Sequence, residues 1–176
     1  YGGAFILLQS FSYFFFGNKW LINPNAFLNA DAEHYYYISQ HGYEGFRVAF
    51  FPLFPLLWKL TGDGVILITI INSVIFLLGL SLLSFYLKVE QPLELILIAS
   101  VPCMMFMFIP YTESLFFICG TMLLIGLKKN IPVLACVGIL LCGVTRPTAF
   151  TFIPAVLLTV FLSNDFLNKK IRMSII

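Results

Sequence analysis

The stretch from Val65 to Leu87 reads VILITIINSVIFLLGLSLLSFYL and contains no charged residue. At 1.5 Å of rise per residue, a helix of that length crosses a hydrocarbon core of roughly 30 Å. The rest of the chain follows the same pattern. Of its 176 residues 60% are apolar and only 10% charged, with a mean hydropathy of +0.97; in a water-soluble domain about a quarter of residues are charged. Most of this chain therefore has lipid as its solvent. Further apolar runs lie at 4–16, with an extension toward 22, and at 93–109, 115–127, 132–144 and 149–162. Room remains for about five or six crossings with short loops and for no separate soluble domain. The expected fold is all-α, a polytopic transmembrane helix bundle forming one membrane domain over 1–176. The chain opens on Tyr1 just ahead of an apolar run and closes on another such stretch after Arg172. Both ends read as cut from longer membrane segments.

The net charge of +2 comes from scattered Lys and Arg, which excludes a nucleic-acid surface. Cys103, Cys119, Cys136 and Cys142 sit in apolar runs without a CxxC pair or metal-ligand spacing, so they are expected to be buried free thiols. If each complete run crosses once, Lys88, Lys128, Lys129, Lys169, Lys170 and Arg172 all fall on one side. By the enrichment of basic residues in short cytoplasmic loops, that side is the cytoplasm. The other side then collects 23–47, 61–64, 110–114 and 145–148, with every acidic residue except Glu90, Glu94 and Asp165. The run 48–60, VAFFPLFPLLWKL, holds Pro52 and Pro55 and is too short and too broken to span. It is expected to be an interfacial or re-entrant helix, with Phe50, Phe51, Phe54 and Trp58 in the boundary zone and Lys59 reaching toward water. Segment 23–64 thus reads as an external loop carrying amphipathic or interfacial helices, its aromatics facing lipid or the interface.

Within that loop, 23–47 is the longest polar stretch, and long ordered loops tend to carry function. Its centre, from Ala30 to His41, predicts a helix. Asn29 is placed to cap it, Asp31 and Glu33 occupy the positively polarised first turn, and Gly42 is suited to end it with a left-handed residue. Asp31, His34, Tyr35 and Ile38 then share one face.

The run DAEHYYYISQHGY from Asp31 to Tyr43, followed by AFFPLFPLL from Ala49 to Leu57, resembles the first lumenal loop of the PIG-V-like mannosyltransferases. These enzymes belong to the glycosyltransferase C superfamily, and their eukaryotic members add the second mannose in GPI-anchor assembly. Tyr111-Thr112-Glu113-Ser114-Leu115-Phe116 and Thr145-Arg146-Pro147-Thr148 continue the pattern in the same order. The first two matches together are specific; the later two would be weak alone. One departure is Ala30, where the family usually has Trp immediately before the Asp. The resemblance implies an inverting transfer of a hexose, usually mannose, from a polyprenyl- or dolichyl-phosphate carrier to the hydroxyl of a lipid-linked or glycan acceptor. The reaction would take place on the non-cytoplasmic face. Asp31 matches the family's acidic residue. The TRPT form of the late motif implies a bacterial or archaeal cytoplasmic membrane ahead of the endoplasmic reticulum membrane.

Inverting transfer needs a carboxylate beside the acceptor hydroxyl to take its proton. Asp31 is the candidate, the alternative being an acid that merely complements the helix dipole. The departing lipid phosphate gathers negative charge, which a fixed cation stabilises. Arg146 is the first candidate for that role, with Arg47 and Lys59 behind it, and its alternative role is a snorkelling interfacial arginine. Glu33, His34 and Glu113 complete the expected substrate contacts, although Glu113 reads equally as a solvated loop acid. His34 and His41 lack an evident third ligand. No metal is assigned, though Asp31 with Glu33 or His34 could hold a divalent ion if folding converged them. The expected partners are membrane lipids, the lipid-linked donor and a glycan or glycolipid acceptor. A transporter or lipid flippase is the rival reading, but it should carry ionisable residues near the bilayer midplane. Ala30 keeps a non-catalytic relative in view as well.

Overall fold

A computed structural model of the chain describes residues 27–62, 64–87 and 106–162, with the side chains of Leu87 and 159–162 excepted. The expectations for the first apolar run, most of the run 93–109, Lys88, Cys103 and the basic cluster 169–172 lie outside the described residues. Within them every element is a helix. In chain order these are α1 (Asp31–His41), a 3-10 turn (Gly45–Ala49), α2 (Leu53–Leu60), α3 (Val65–Leu87), α4 (Glu113–Lys128), α5 (Pro132–Gly143), a second 3-10 turn (Pro147–Thr151) and α6 (Phe152–Leu162). Among the described residues, α3 is the helix long and apolar enough to cross a membrane, over Val65–Tyr86. The other apolar helices are shorter.

α3 is apolar all round, as expected of a helix in an apolar solvent. Ile70, Leu77 and Phe85 are exposed on one side, while Ile68, Asn72 and Phe76 are buried on the other. The buried stripe, at four-residue spacing, packs on α4. The Asn72 amide reaches the Tyr111 carbonyl, the Phe76 and Phe117 rings lie 5.5 Å apart, and Lys128 donates to the Tyr86 carbonyl at 2.9 Å. These contacts advance together along both helices, so α3 and α4 run parallel.

α5 returns antiparallel along α4, and glycine permits the approach. A Cβ at Gly138 would stand 2.5 Å from the Leu123 nitrogen and 3.0 Å from the Cys119 carbonyl oxygen, while one at Gly126 would stand 2.8 Å from the Ala135 Cα. Small residues at such seams let backbones touch. The reversal between the helices uses Asn130 at φ 54°, a conformation Asn tolerates better than most residues. Pro132 follows in the first turn of α5, where its missing N–H is harmless.

The segment 48–60 is not one helix. The chain is extended at Phe50, and α2 starts after Pro52, with Pro55 in the first turn. The prolines therefore start a helix instead of breaking one. α2 lays its inner face on α1, where Tyr35, Phe54, Trp58, Val65 and Ile68 form a core. Phe54 and Trp58 are fully buried, which corrects their expected place in the boundary zone. Tyr35 and Tyr36 offer them ring contacts at 5.2 and 5.5 Å, and a closed aromatic cluster removes more apolar surface than an interface would. Phe46, Val48, Leu56 and Leu60 are the exposed apolar residues of this region.

Cys119 and Cys142 are buried free thiols as expected, whereas Cys136 is exposed. It lies on the outer flank of α5 with Val133, Val137 and Leu140, where apolar surroundings outside the bundle would serve a thiol as well as a core.

Candidate functional site

The starts of α3 and α4 and the end of α5 meet α1 at one end of the bundle. Asn72, fully buried in α3, donates through its amide to the Tyr111 carbonyl at 3.1 Å and to the Ile109 carbonyl. Ser114, also buried, donates to the Met107 carbonyl. The turn leading into α4 is thus held from two sides. The Leu53 N–H donates to the Val144 carbonyl at 3.2 Å, which ties the start of α2 to the end of α5.

Arg146 precedes Pro147, and a residue before proline is steered away from the helical region. Its backbone is extended, at φ −150° and ψ 147°. There its guanidinium Nη1 meets the Glu113 Oε1 at 2.7 Å. Glu113 is the first residue of α4, where the helix dipole favours a carboxylate. Its second oxygen, Oε2, is buried and has no partner. The side chains of Arg146 and Glu113 are 33% and 24% exposed, so the pair is worth about 1 kcal/mol or less to stability. The two expected site residues Arg146 and Glu113 are thus brought together as a pair.

Asp31 is exposed at the start of α1. The residue before it, Ala30, has φ 51°, and no side chain caps the helix. Ala30, not the expected Asn29, holds the cap position. What Asn29 supplies is its carbonyl, which accepts the Ala32 N–H and the Tyr111 hydroxyl, each at 3.2 Å. Gly42 ends α1 at φ 86°, and its N–H donates to the Ile38 carbonyl.

One turn beyond Asp31, Tyr35 is buried and its hydroxyl faces the Thr112 side chain. Burial pushes the pKa of this hydroxyl up. The bond to Thr112 opposes the shift, and the charges of Asp31, Arg146 and Glu113 all act on it. Tyr111 is raised as well, first by burial and then by Asp31 and Glu113. Both phenols thus feel the charges of Asp31 and Glu113, and Tyr35 that of Arg146 as well, although the three charged residues come from segments far apart in sequence.

The remaining candidates make their contacts elsewhere. Glu33 and Lys59 are exposed. The His34 ring packs 5.1 Å from Phe46 and 5.0 Å from Phe50, and its Nδ1 is buried without a partner. The Arg47 guanidinium lies 3.7 Å over the Tyr37 ring, and the Tyr37 hydroxyl donates to Glu44 at 2.7 Å. Together these form an aromatic corner around the first 3-10 turn. Among the described residues no three His, Cys, Asp or Glu side chains come together as a metal site.

Beside the ion pair, a cavity of about 330 Å³ runs along α4, with Glu113 and Arg146 at one end and Phe117, Gly120, Thr121 and Leu124 along its length. Thr121 is buried and its hydroxyl has no partner. The cavity is lined almost wholly by apolar surface, with the ion pair among its lining residues.

Sequence reasoning quoted Tyr111 and Thr112 only as part of a motif, without a role, and did not single out Asn72 or the hydroxyl of Tyr35. A lone amide in an otherwise apolar helix, and a tyrosine four residues beyond Asp31 on the same face, were the available signals. Comparison with protein-family models, with curated proteins and with solved structures finds no match to this chain.

Proposed function

We propose that this chain belongs to a multi-pass membrane glycosyltransferase of the glycosyltransferase C type. It moves a hexose, with mannose the favoured sugar, from a polyprenyl- or dolichyl-phosphate donor to an acceptor hydroxyl on the non-cytoplasmic face. The observation that carries this reading is the Glu113–Arg146 pair beside an apolar cavity, at the end of the helices where Tyr111 meets Asn29 and Asp31 starts α1.

In this reading Asp31 takes the proton of the attacking hydroxyl as the new bond to the anomeric carbon forms and the bond to the phosphate breaks. Its exposure leaves room for an acceptor. Arg146 contacts the phosphate oxygens as charge builds on them. To do so it loosens its bond to Glu113, which then stands free to accept hydrogen bonds from the sugar. The exposed apolar surface of α3 and the location of the acids at the end opposite Lys128 and Lys129 fit a membrane bundle with its chemistry at the outer surface.

A second reading, a non-catalytic relative of the same fold, is favoured by the Glu113–Arg146 pair itself, which occupies the cation the reaction needs. Membranes containing the protein, supplied with radiolabelled polyprenyl-phosphate mannose, separate the two. Wild type should label a glycan or glycolipid and Asp31→Asn should lose at least about a hundredfold of that rate. Equal labelling by both proteins would remove Asp31 from its role; absence of labelling in wild type would favour the non-catalytic relative.

A further inference from the structure

We propose that Tyr111 is a positioning residue whose hydroxyl holds a strained turn at Ala30 and thereby fixes where Asp31 starts α1, at the same end of the bundle as the Glu113–Arg146 pair. Ala30 has φ 51°, a left-handed value at a residue that carries a Cβ. With ψ at −124° it lies outside the left-handed helical well, in a region open mainly to glycine, where the conformation costs roughly 1–3 kcal/mol and persists only where neighbouring groups enforce it. The Asn29 carbonyl, immediately before the strained residue, accepts two bonds. One is local, from the Ala32 N–H at 3.2 Å. The other, also at 3.2 Å, comes from Tyr111, 82 residues away in the segment that leads into α4.

Tyr111 is itself held. The buried Asn72 amide donates to its carbonyl, and its ring stacks on Phe106 with centroids 5.8 Å apart and planes 12° from parallel. A chain of contacts therefore runs from the interior of α3, through Asn72 and Tyr111, to Asn29 and the strained link, and ends at Asp31. Burial and the nearby carboxylates raise the pKa of the Tyr111 hydroxyl, which keeps it protonated, and so a donor, at neutral pH. Because Glu113 is only two residues beyond Tyr111, the same short segment presents one acid of the site and aims the other.

The test measures hydrogen exchange of the full chain in lipid nanodiscs and needs no catalytic activity, so it is independent of the glycosyltransferase reading, on which the role of Asp31 rests. Tyr111→Phe removes one hydroxyl and keeps the ring on Phe106. It should speed exchange of the Ala32 N–H, which is bonded to the same Asn29 carbonyl, by up to about tenfold, the value of one net hydrogen bond, with α3 and α4 unchanged. Ala30→Gly in the same chain should restore slow exchange, because glycine takes a left-handed φ at no steric cost. A Tyr111 that served only general packing would not be rescued by a change at position 30. Unchanged exchange in Tyr111→Phe would overturn the proposal, as would failure of Ala30→Gly to reverse its effect. If the transfer reaction is measurable, kcat should follow the same loss and rescue while KM for the donor stays level, since Tyr111 touches the aim of Asp31 and not the lipid.

Discussion

The contact between Arg146 and Glu113 joins two residues that each look, in isolation, like an ordinary charged residue near a membrane surface. Their pairing costs little and stabilises little at this exposure, so its value lies in what it holds ready. Arg146→Ala is expected to lower transfer by about a hundredfold to a thousandfold, in line with the loss of one donor to a developing oxyanion. Arg146→Lys should recover only part of this, because an ammonium lacks the planar fork; initial rates with a labelled lipid-phosphate sugar check both. Tyr35 gives a second prediction. Its folded pKa lies above the ordinary value of 10.0 because burial disfavours the phenolate. The proton is therefore held more tightly in the folded protein, and the associated stability is fully present below pH 10 and lost as pH rises toward the folded value. Melting temperatures taken between about pH 9 and 11 should fall less steeply in Tyr35→Phe than in wild type. The charged residues of this site were legible, since acids and arginines confined to short polar segments of an apolar chain stand out. The Arg146–Glu113 bond was not, because the two residues are separated by 33 positions and nothing in either motif encodes their mutual distance. Nor was the conformation of Ala30, which local preference argues against.

At the level of elements, α3 was readable to the residue. An uncharged run bounded by Gly64 and Lys88 leaves a helix no other natural limits. α1 was readable by its first-turn acids and closing glycine. α2 was misjudged because its composition suits a membrane boundary equally well. Only the tertiary neighbour α1, with Tyr35 and Tyr36 facing down, turns Phe54 and Trp58 inward. The α4–α5 seam depends on backbone approach, which sequence does not report beyond the presence of glycine. Two glycines make the distinction testable. Gly138→Ala places a methyl against the α4 backbone and should cost about 1–3 kcal/mol, read as a lower melting temperature in detergent. Gly120→Ala meets nothing within 4 Å and should leave the melting temperature unchanged or slightly higher, since alanine is the better helix former.

For the whole molecule, charge is sorted by end. Glu113 and Arg146 stand at the start of α4 and the end of α5, while Lys128 donates to the Tyr86 carbonyl and Lys129 lies 5.4 Å from the Tyr86 ring at the other end. Sixteen residues of α4 separate the two ends, about 24 Å at helical rise. In a background without native cysteines, Asp31→Cys and Lys129→Cys should react with a membrane-impermeant maleimide from opposite faces of sealed vesicles. Labelling of both from one face would remove α4 from the membrane. The glycine seam then has a mechanical consequence. With no room for α4 and α5 to slide past each other, Glu113 and Arg146 travel as one rigid jaw.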